Sequence, residues 1–237
     1  MTETNEIPSS RERRSVEMAR NKPPFECYVR LPGWRLHIAH LEVARDRELG
    51  NVMDVAIGGA QTTLLRRFPD RRLEVDPEVK LLRDQLLRLG VDPQQTPPCS
   101  ELLLASFLTT DKIPRGSLAW EFLAILTAKT AAPWTVLDRE ALKPPLVYRH
   151  GKPGEELQSL AGATNCEALP VLADQEGVKA SPWTHTGPSD LRDVKDAVFA
   201  CFLPEDLFRV VQPRSHLGRI VWLTWAYRFV FERSYSF

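Results

Sequence analysis

Residues 76–90 read DPEVKLLRDQLLRLG and carry the signals for both ends of a helix. Asp76-Pro77 is typical of a helix start, because an aspartate side chain accepts from the first free amides and proline fits the first turn. Gly90 is typical of a helix stop. Apolar side chains recur between them at helical spacing, at Val79, Leu82, Leu86 and Leu89. The stretch therefore predicts a helix over 77–89 with one face on a core.

Two more helices are predicted downstream. Ser100 is predicted to cap a short apolar helix from Leu102 to Leu108. Ser117 is predicted to cap a helix over 117–130, which the proline of 131–133 ends.

Strands are predicted on both sides of these helices. Residues 34–38 alternate apolar and polar side chains, the pattern of a half-buried strand. Short apolar runs separated by turn residues predict further strands at 146–149, 170–173 and 197–202. Helices followed by a run of strands indicate an α+β fold, with a mixed β-sheet packed by helices, rather than a repeated βαβ array.

Composition fits one main domain. The chain has 237 residues, 43% hydrophobic and 26% charged, which is typical of a protein with a buried core. The first 24 residues are polar and are expected to form a flexible arm. The main domain is predicted over 25–204, with a C-terminal extension over 205–237.

Charge and cysteine usage narrow the function classes. Lys+Arg and Asp+Glu both number 31, so the net charge does not indicate a dedicated phosphate binder, although a local basic face stays open. The four cysteines have no metal-ligand spacing, so we expect lone buried thiols and neither metal nor cofactor. They are Cys27, Cys99, Cys166 and Cys201. No signal-peptide pattern precedes the domain, and a cytoplasmic location is expected.

The C-terminal residues 220–231, IVWLTWAYRFVF, are strongly apolar. At about 12 residues they are too short to span a bilayer, so a membrane partner is not expected. A packed terminal helix or strand is the simpler interpretation. An interfacial membrane segment and a partner-binding helix remain alternatives.

Seven landmarks between Val79 and Phe202 stand in a recognisable order. They are LGVDP (89–93), PCSELL (98–103), IP (113–114), PWTVLD (133–138), GEE (154–156), VLAD (171–174) and DVKDAV (193–198). In this order they resemble the B3/B4 domain of the phenylalanyl-tRNA synthetase beta subunit, and especially its freestanding bacterial relatives. In the synthetase this domain is the editing module, which hydrolyses the ester between a wrongly attached amino acid, chiefly tyrosine, and the tRNA. The resemblance therefore implies an aminoacyl-tRNA deacylase, or a tRNA-associated binding module, with tRNA and an aminoacyl ester as partners.

The chain departs from the family at the residues that read the substrate. Thr135 stands where the family loop has a histidine, and Thr186 falls where a glutamate reads the tyrosine hydroxyl. Glu121 and Ala124 replace an Asp-x-x-Asn pair. Tyrosine recognition is therefore not expected, because it needs polar groups that pair with the substrate hydroxyl.

His185 is the predicted general base or water-positioning group. It lies between Thr184 and Thr186 in a loop rich in threonine, glycine and proline, and these hydroxyls are predicted to hold water or substrate. The alternative is an exposed loop histidine without a catalytic role.

Trp134 and Trp183 lie in the two segments that line the family's pocket. They are predicted either to stack on an amino-acid side chain or adenine, or to pack in the core. Asp138 is expected to hold its loop through backbone hydrogen bonds. A basic strip for phosphates, or else a solvated face, is formed by Arg115, Arg139, Lys143, Arg149 and Lys152.

The favoured function is hydrolysis of misacylated tRNA in trans by a freestanding editing-type domain. The alternative is a non-catalytic module that binds tRNA or an amino-acid-like ligand in the same pocket. A third interpretation is an interaction protein that keeps only the fold.

Overall fold

A computed structural model describes residues 26–42, 49–159, 162–184, 196–213 and 230–236. Five α-helices lie in these ranges: α1 (Leu49–Arg67), α2 (Pro77–Arg88), α3 (Cys99–Thr110), α4 (Leu118–Thr130) and α5 (Glu205–Val211). The first five strands are β1 (Cys27–Val29), β2 (Trp34–Glu42), β3 (Trp134–Asp138), β4 (Leu146–His150) and β5 (Glu156–Ser159). The others are β6 (Gly162–Asn165), β7 (Pro170–Asp174), β8 (Gly177–Ala180), β9 (Asp196–Pro204) and β10 (Val230–Ser236).

The strands form two four-stranded sheets and a hairpin. The central sheet has the order β10-β2-β9-β3 and is antiparallel throughout. The second sheet has the order β1-β4-β7-β8, in which β1 and β4 are parallel and the other pairs antiparallel. Strands β5 and β6 form the hairpin. The predicted α+β class, with mixed sheet and no doubly wound parallel array, is confirmed.

The central sheet is covered on both faces. On one face Phe122 of α4 packs edge-on against Phe199 of β9, with ring centroids 6.3 Å apart. On the other face Tyr148 of β4 packs against Phe202 of β9 at 5.3 Å. Helices, central sheet and second sheet therefore form three layers around one main apolar core.

The local signals of the helices are largely confirmed. The Asp76 carboxylate accepts from the amides of Glu78 and Val79, both at 3.0 Å, and so caps α2. Gly90 follows this helix with a φ of +78°, a backbone conformation that glycine adopts without strain. The Ser117 hydroxyl accepts from the Trp120 amide at the start of α4.

Two sequence predictions were wrong. Ser100 is not an N-cap, because α3 begins at Cys99 after Pro98 and Ser100 lies inside its first turn. Residues 134–138 form the edge strand β3 rather than a loop, since their β-branched and aromatic side chains pair with β9. Helix α1 was not predicted at all; it packs on α4, and its small residues Ala56 and Ala60 are buried.

The last strand belongs to the central sheet. Strand β10 pairs antiparallel with β2, with Tyr235 opposite Ile38. The apolar residues 220–229 lie outside the described residues, and residues 230–231 open β10. No helix in the described ranges has the length and apolar content needed to cross a membrane.

Candidate functional site

Cys99, the first residue of α3, contacts Trp134, in one of the two segments predicted to line a pocket, and Pro182, the residue just before the other. The amide of Cys99 donates to the carbonyl oxygen of Pro182 at 3.0 Å. The thiol of Cys99 lies 3.7 Å from the carbonyl oxygen of Trp134 and donates to it. The 134–135 and 181–184 segments therefore converge on the N-terminal end of α3.

Trp134 lies on the helix side of the central sheet. It is opposite Cys201 of β9, and it is fully buried. Its indole N–H donates to the hydroxyl of Thr130 at 3.0 Å, and its ring meets His37 edge-on with centroids 6.1 Å apart. In this arrangement Trp134 packs as a core side chain.

Thr135 points to the opposite face of the sheet. Successive side chains of a strand alternate between faces, and Thr135 pairs with Ala200 rather than with Cys201. It is fully buried, on the side where the second sheet packs. Trp134 and Thr135 are therefore neighbours in sequence that do not share one wall of a pocket.

Asp138 ends β3 and holds the chain locally. Its carboxylate accepts from the amide of Glu140 at 3.0 Å and caps a short 3-10 helix, Arg139–Ala141. A backbone hydrogen bond of this kind was predicted for Asp138.

The turn over residues 181–184 is fixed to the loop before α3. The indole N–H of Trp183 donates to the carbonyl oxygen of Thr96 at 2.9 Å, and the ring packs against the main core. The Thr184 hydroxyl accepts from the amide of Ser181 at 3.1 Å and lies 3.2 Å from its carbonyl oxygen. Thr184 thus closes the turn, and its hydroxyl is used within it.

His185 and Thr186 lie outside the described residues. Their roles as base and specificity residue therefore stay predictions. The described turn ends at Thr184, one residue before His185.

Ser100 also lies at this helix end, although the sequence predicted a helix-capping role for it. It lies one residue after Cys99 and is fully buried. Its hydroxyl has no hydrogen-bond partner among the residues that the structure describes. The only sequence signal was its place in the PCSE motif, which was interpreted as a cap.

The thiols near the site are not activated. Burial raises the pKa of the Cys99 thiol and of the Cys201 thiol well above the ordinary range. Protonated thiols are poor nucleophiles and poor metal ligands. Across the described ranges, no three His, Cys, Asp or Glu side chains group closely enough to hold a metal ion.

Two members of the predicted basic strip are held by carboxylates. Arg115 contacts Asp54 at 2.7 Å and Glu121 at 2.8 Å, so the glutamate that replaces a family aspartate is in an ion pair. Arg149 donates two hydrogen bonds of 2.7 Å to Glu155. Their charges are partly neutralised, which reduces what they offer to phosphates.

A separate cleft of about 190 Å³ lies between α2 and the loop that follows it. Its lining mixes both charge signs and contains none of the predicted site residues. The lining residues are Lys80, Arg83, Asp84, Leu87, Asp92, Pro93 and Gln94.

Comparisons with known proteins give a weak structural likeness only. The sequence matches no protein-family model and no curated protein. One solved structure with a similar fold is an N-terminal fragment of the phenylalanyl-tRNA synthetase beta subunit from Pyrococcus horikoshii, with a TM-score of 0.40 and 12% identity. The alignment covers 86% of this chain and 50% of that fragment, so the chain spans about half of its length.

Proposed function

We propose that this chain hydrolyses the aminoacyl ester of misacylated tRNA in trans, as an editing-type domain. The observation that supports the proposal is that Trp134 and the turn before His185 both reach Cys99: the Trp134 carbonyl oxygen accepts from its thiol and the Pro182 carbonyl oxygen from its amide.

The proposed reaction needs no metal. A water molecule attacks the ester carbonyl carbon, and His185 takes the proton of that water. The ester bond then breaks, the tRNA hydroxyl leaves with a proton, and the amino acid leaves with a free carboxylate. Thr186 contacts the amino-acid side chain and sets which amino acid is removed. Four free thiols are expected in a reducing compartment, so a cytoplasmic location is part of the proposal.

A non-catalytic binding module is the second candidate. The observation that favours it is the state of the family's polar positions: Thr135 is fully buried, and Glu121 is paired with Arg115. A pocket without polar side chains free to contact the substrate would bind tRNA or an amino-acid-like ligand without cleaving it.

Two assays on the same protein separate these functions. Mischarged tRNAs carrying each amino acid in turn report hydrolysis, and a salt titration with uncharged tRNA reports binding. The enzyme is expected to shorten the lifetime of at least one ester. Salt-dependent tRNA binding with no hydrolysis of any ester would instead establish the binding module.

A further inference from the structure

The cleft between α2 and the loop that follows it has one face of the helix as its first wall. Four side chains of this face, spaced three or four residues apart, line the cleft: Lys80, Arg83, Asp84 and Leu87. Side chains at these spacings are neighbours on a helix surface. The opposite face of α2 packs in the main core, which fixes the orientation of the helix. Two cations, one carboxylate and one apolar side chain therefore share this wall.

The guanidinium of Arg83 is held in place by a buried carboxylate. Its Nε and Nη2 atoms donate to Glu101, whose side chain is only 3% exposed. A guanidinium has five N–H donors, and Glu101 does not use the two hydrogens of Nη1. Glu101 balances the charge of Arg83, but it also fixes the plane of the group. Arg83 can therefore donate to a second acceptor at little cost in side-chain entropy.

The second wall is a loop fixed by its own hydrogen bonds. The Oδ1 atom of Asp92 accepts from the amide of Gln94 at 2.9 Å, and the carbonyl oxygen of Asp92 accepts from the amide of Thr96 at 2.9 Å. Pro93, which also lines the cleft, is buried. A second carboxylate and a second apolar side chain are therefore held opposite the helix.

The charges and size of the cleft restrict its ligand. An anion placed between Lys80 and Arg83 would be repelled by Asp84 and Asp92, and a cation placed at the aspartates would be repelled by Lys80. A ligand that carries both signs satisfies both sets of groups. The volume is about 190 Å³, below the roughly 300–1,000 Å³ of clefts for drug-sized ligands. The ligand is therefore a small zwitterion.

We propose that this cleft binds a free α-amino acid with an apolar side chain. The carboxylate of the amino acid accepts from Lys80 and Arg83, and its ammonium group donates to Asp84 and Asp92. Its side chain packs on Leu87, an apolar residue that is 55% exposed in the free protein. The ligand class follows from the cleft alone, so this site does not depend on ester hydrolysis by the same chain.

Calorimetric titration of the full chain tests the ligand class. At least one of leucine, methionine and phenylalanine is expected to bind with a dissociation constant in the millimolar range or tighter. Its N-acetyl derivative lacks the ammonium group and its amide lacks the carboxylate, so each is expected to bind about tenfold or more weakly. No binding of the three amino acids at about 10 mM would overturn the site. Equal binding of the N-acetyl derivative would also overturn it, because the ligand would then be a simple anion.

Substitutions test whether the amino acid binds in this cleft. Lys80→Gln and Asp84→Asn each remove one charged contact and are expected to weaken binding about tenfold. Arg88→Gln is the matched control, because Arg88 is an exposed cation of the same helix that does not line the cleft. Arg83 is kept, since its loss would leave the buried Glu101 carboxylate without its partner. The three variants change exposed side chains and should unfold at the urea concentration of the wild type. Equal binding by Lys80→Gln and Arg88→Gln would place the ligand elsewhere and overturn the inference.

Discussion

The indole N–H of Trp134 donates a 3.0 Å hydrogen bond to the hydroxyl of Thr130, which lies four residues earlier in α4. The same hydroxyl donates to the carbonyl of Leu126 at 2.7 Å. Between them the chain reverses at Ala131, a non-glycine residue with a φ of +51°. The bond therefore joins β3 to the helix layer across a tight turn, next to the point where Cys99 meets Trp134.

Replacing Trp134 with phenylalanine is expected to destabilise the fold by about 2 kcal/mol. The change removes the bond to Thr130 and leaves part of a fully buried volume unfilled. Urea unfolding measures the effect. Trp183→Phe is the control, because its indole N–H also donates a hydrogen bond, to the Thr96 carbonyl oxygen, but its side chain is only partly buried, so a loss below about 1 kcal/mol is expected. Equal losses in both variants would argue against the core role of Trp134.

Replacing Tyr148 with phenylalanine is expected to leave stability unchanged or to raise it by roughly 1 kcal/mol. The Tyr148 hydroxyl is buried and has no hydrogen-bond partner in the described part of the chain. The ring contacts to Trp34 and Phe202 remain in the variant. Thermal unfolding is compared with that of Tyr28→Phe, whose hydroxyl is exposed and bonded to Glu26. A clear loss of stability in Tyr148→Phe alone would show that the Tyr148 hydroxyl makes a stabilising hydrogen bond.

The Arg149–Glu155 pair is expected to make stability depend on acid pH. Hydrogen bonds from Arg149 lower the pKa of Glu155 from 4.5 to about 2. Because the folded pKa lies below the unfolded one, the contribution is complete above about pH 4.5 and is lost as pH falls toward 2. Both side chains are partly buried, so solvent screens the pair in part, and a contribution on the order of 1–2 kcal/mol at pH 7 is expected.

The variant Glu155→Gln removes the carboxylate charge and so isolates the contribution of the Arg149–Glu155 pair to stability. Urea unfolding of wild type and variant at several pH values should give curves that lie apart at pH 7 and converge between about pH 4.5 and pH 2. A constant difference over that range would mean that the carboxylate charge does not stabilise the fold.

Replacing His185 with alanine is expected to slow ester hydrolysis by about 10²-fold, the usual contribution of a positioned proton acceptor. Affinity for tRNA should change little, because phosphate contacts dominate binding. Single-turnover hydrolysis and tRNA binding are measured on the same preparation, with His150→Ala as control. His150 contacts the carbonyl oxygen of Ala168 and lies on β4. Full activity of His185→Ala would assign the base to another group.

The features that sequence reasoning found are those with local causes. Asp76 and Ser117 cap helices with their own side chains, and both appear in the sequence as cap residues before apolar periodic stretches. Strand β2 was predicted from alternating apolar and polar side chains and β9 from a short apolar run. Both are local patterns of strands, and the two strands pair in the central sheet.

The features that were missed depend on distant contacts. At the start of α3 the amide of Cys99 donates to the carbonyl oxygen of Pro182, which lies 83 residues later, and the sequence around Ser100 does not indicate that partner. Helix α1 contains Gly58 and Gly59, which weaken its sequence signal, and it is stabilised by packing against α4. For the same reason the contacts of Trp134 and Pro182 with Cys99 could not be predicted from local pattern; the family resemblance predicted only that two loops meet, and Cys99 was expected to be a lone buried thiol.

The central claim is tested most directly by single-turnover hydrolysis of mischarged tRNAs with protein in excess over ester. Loss of ester is followed against the spontaneous rate in the same buffer, for tRNAs that carry each amino acid in turn. The account predicts that at least one ester disappears at least about 10²-fold faster with the wild type, and that His185→Ala slows this loss while His150→Ala does not. Spontaneous rates for every ester in the panel would contradict it.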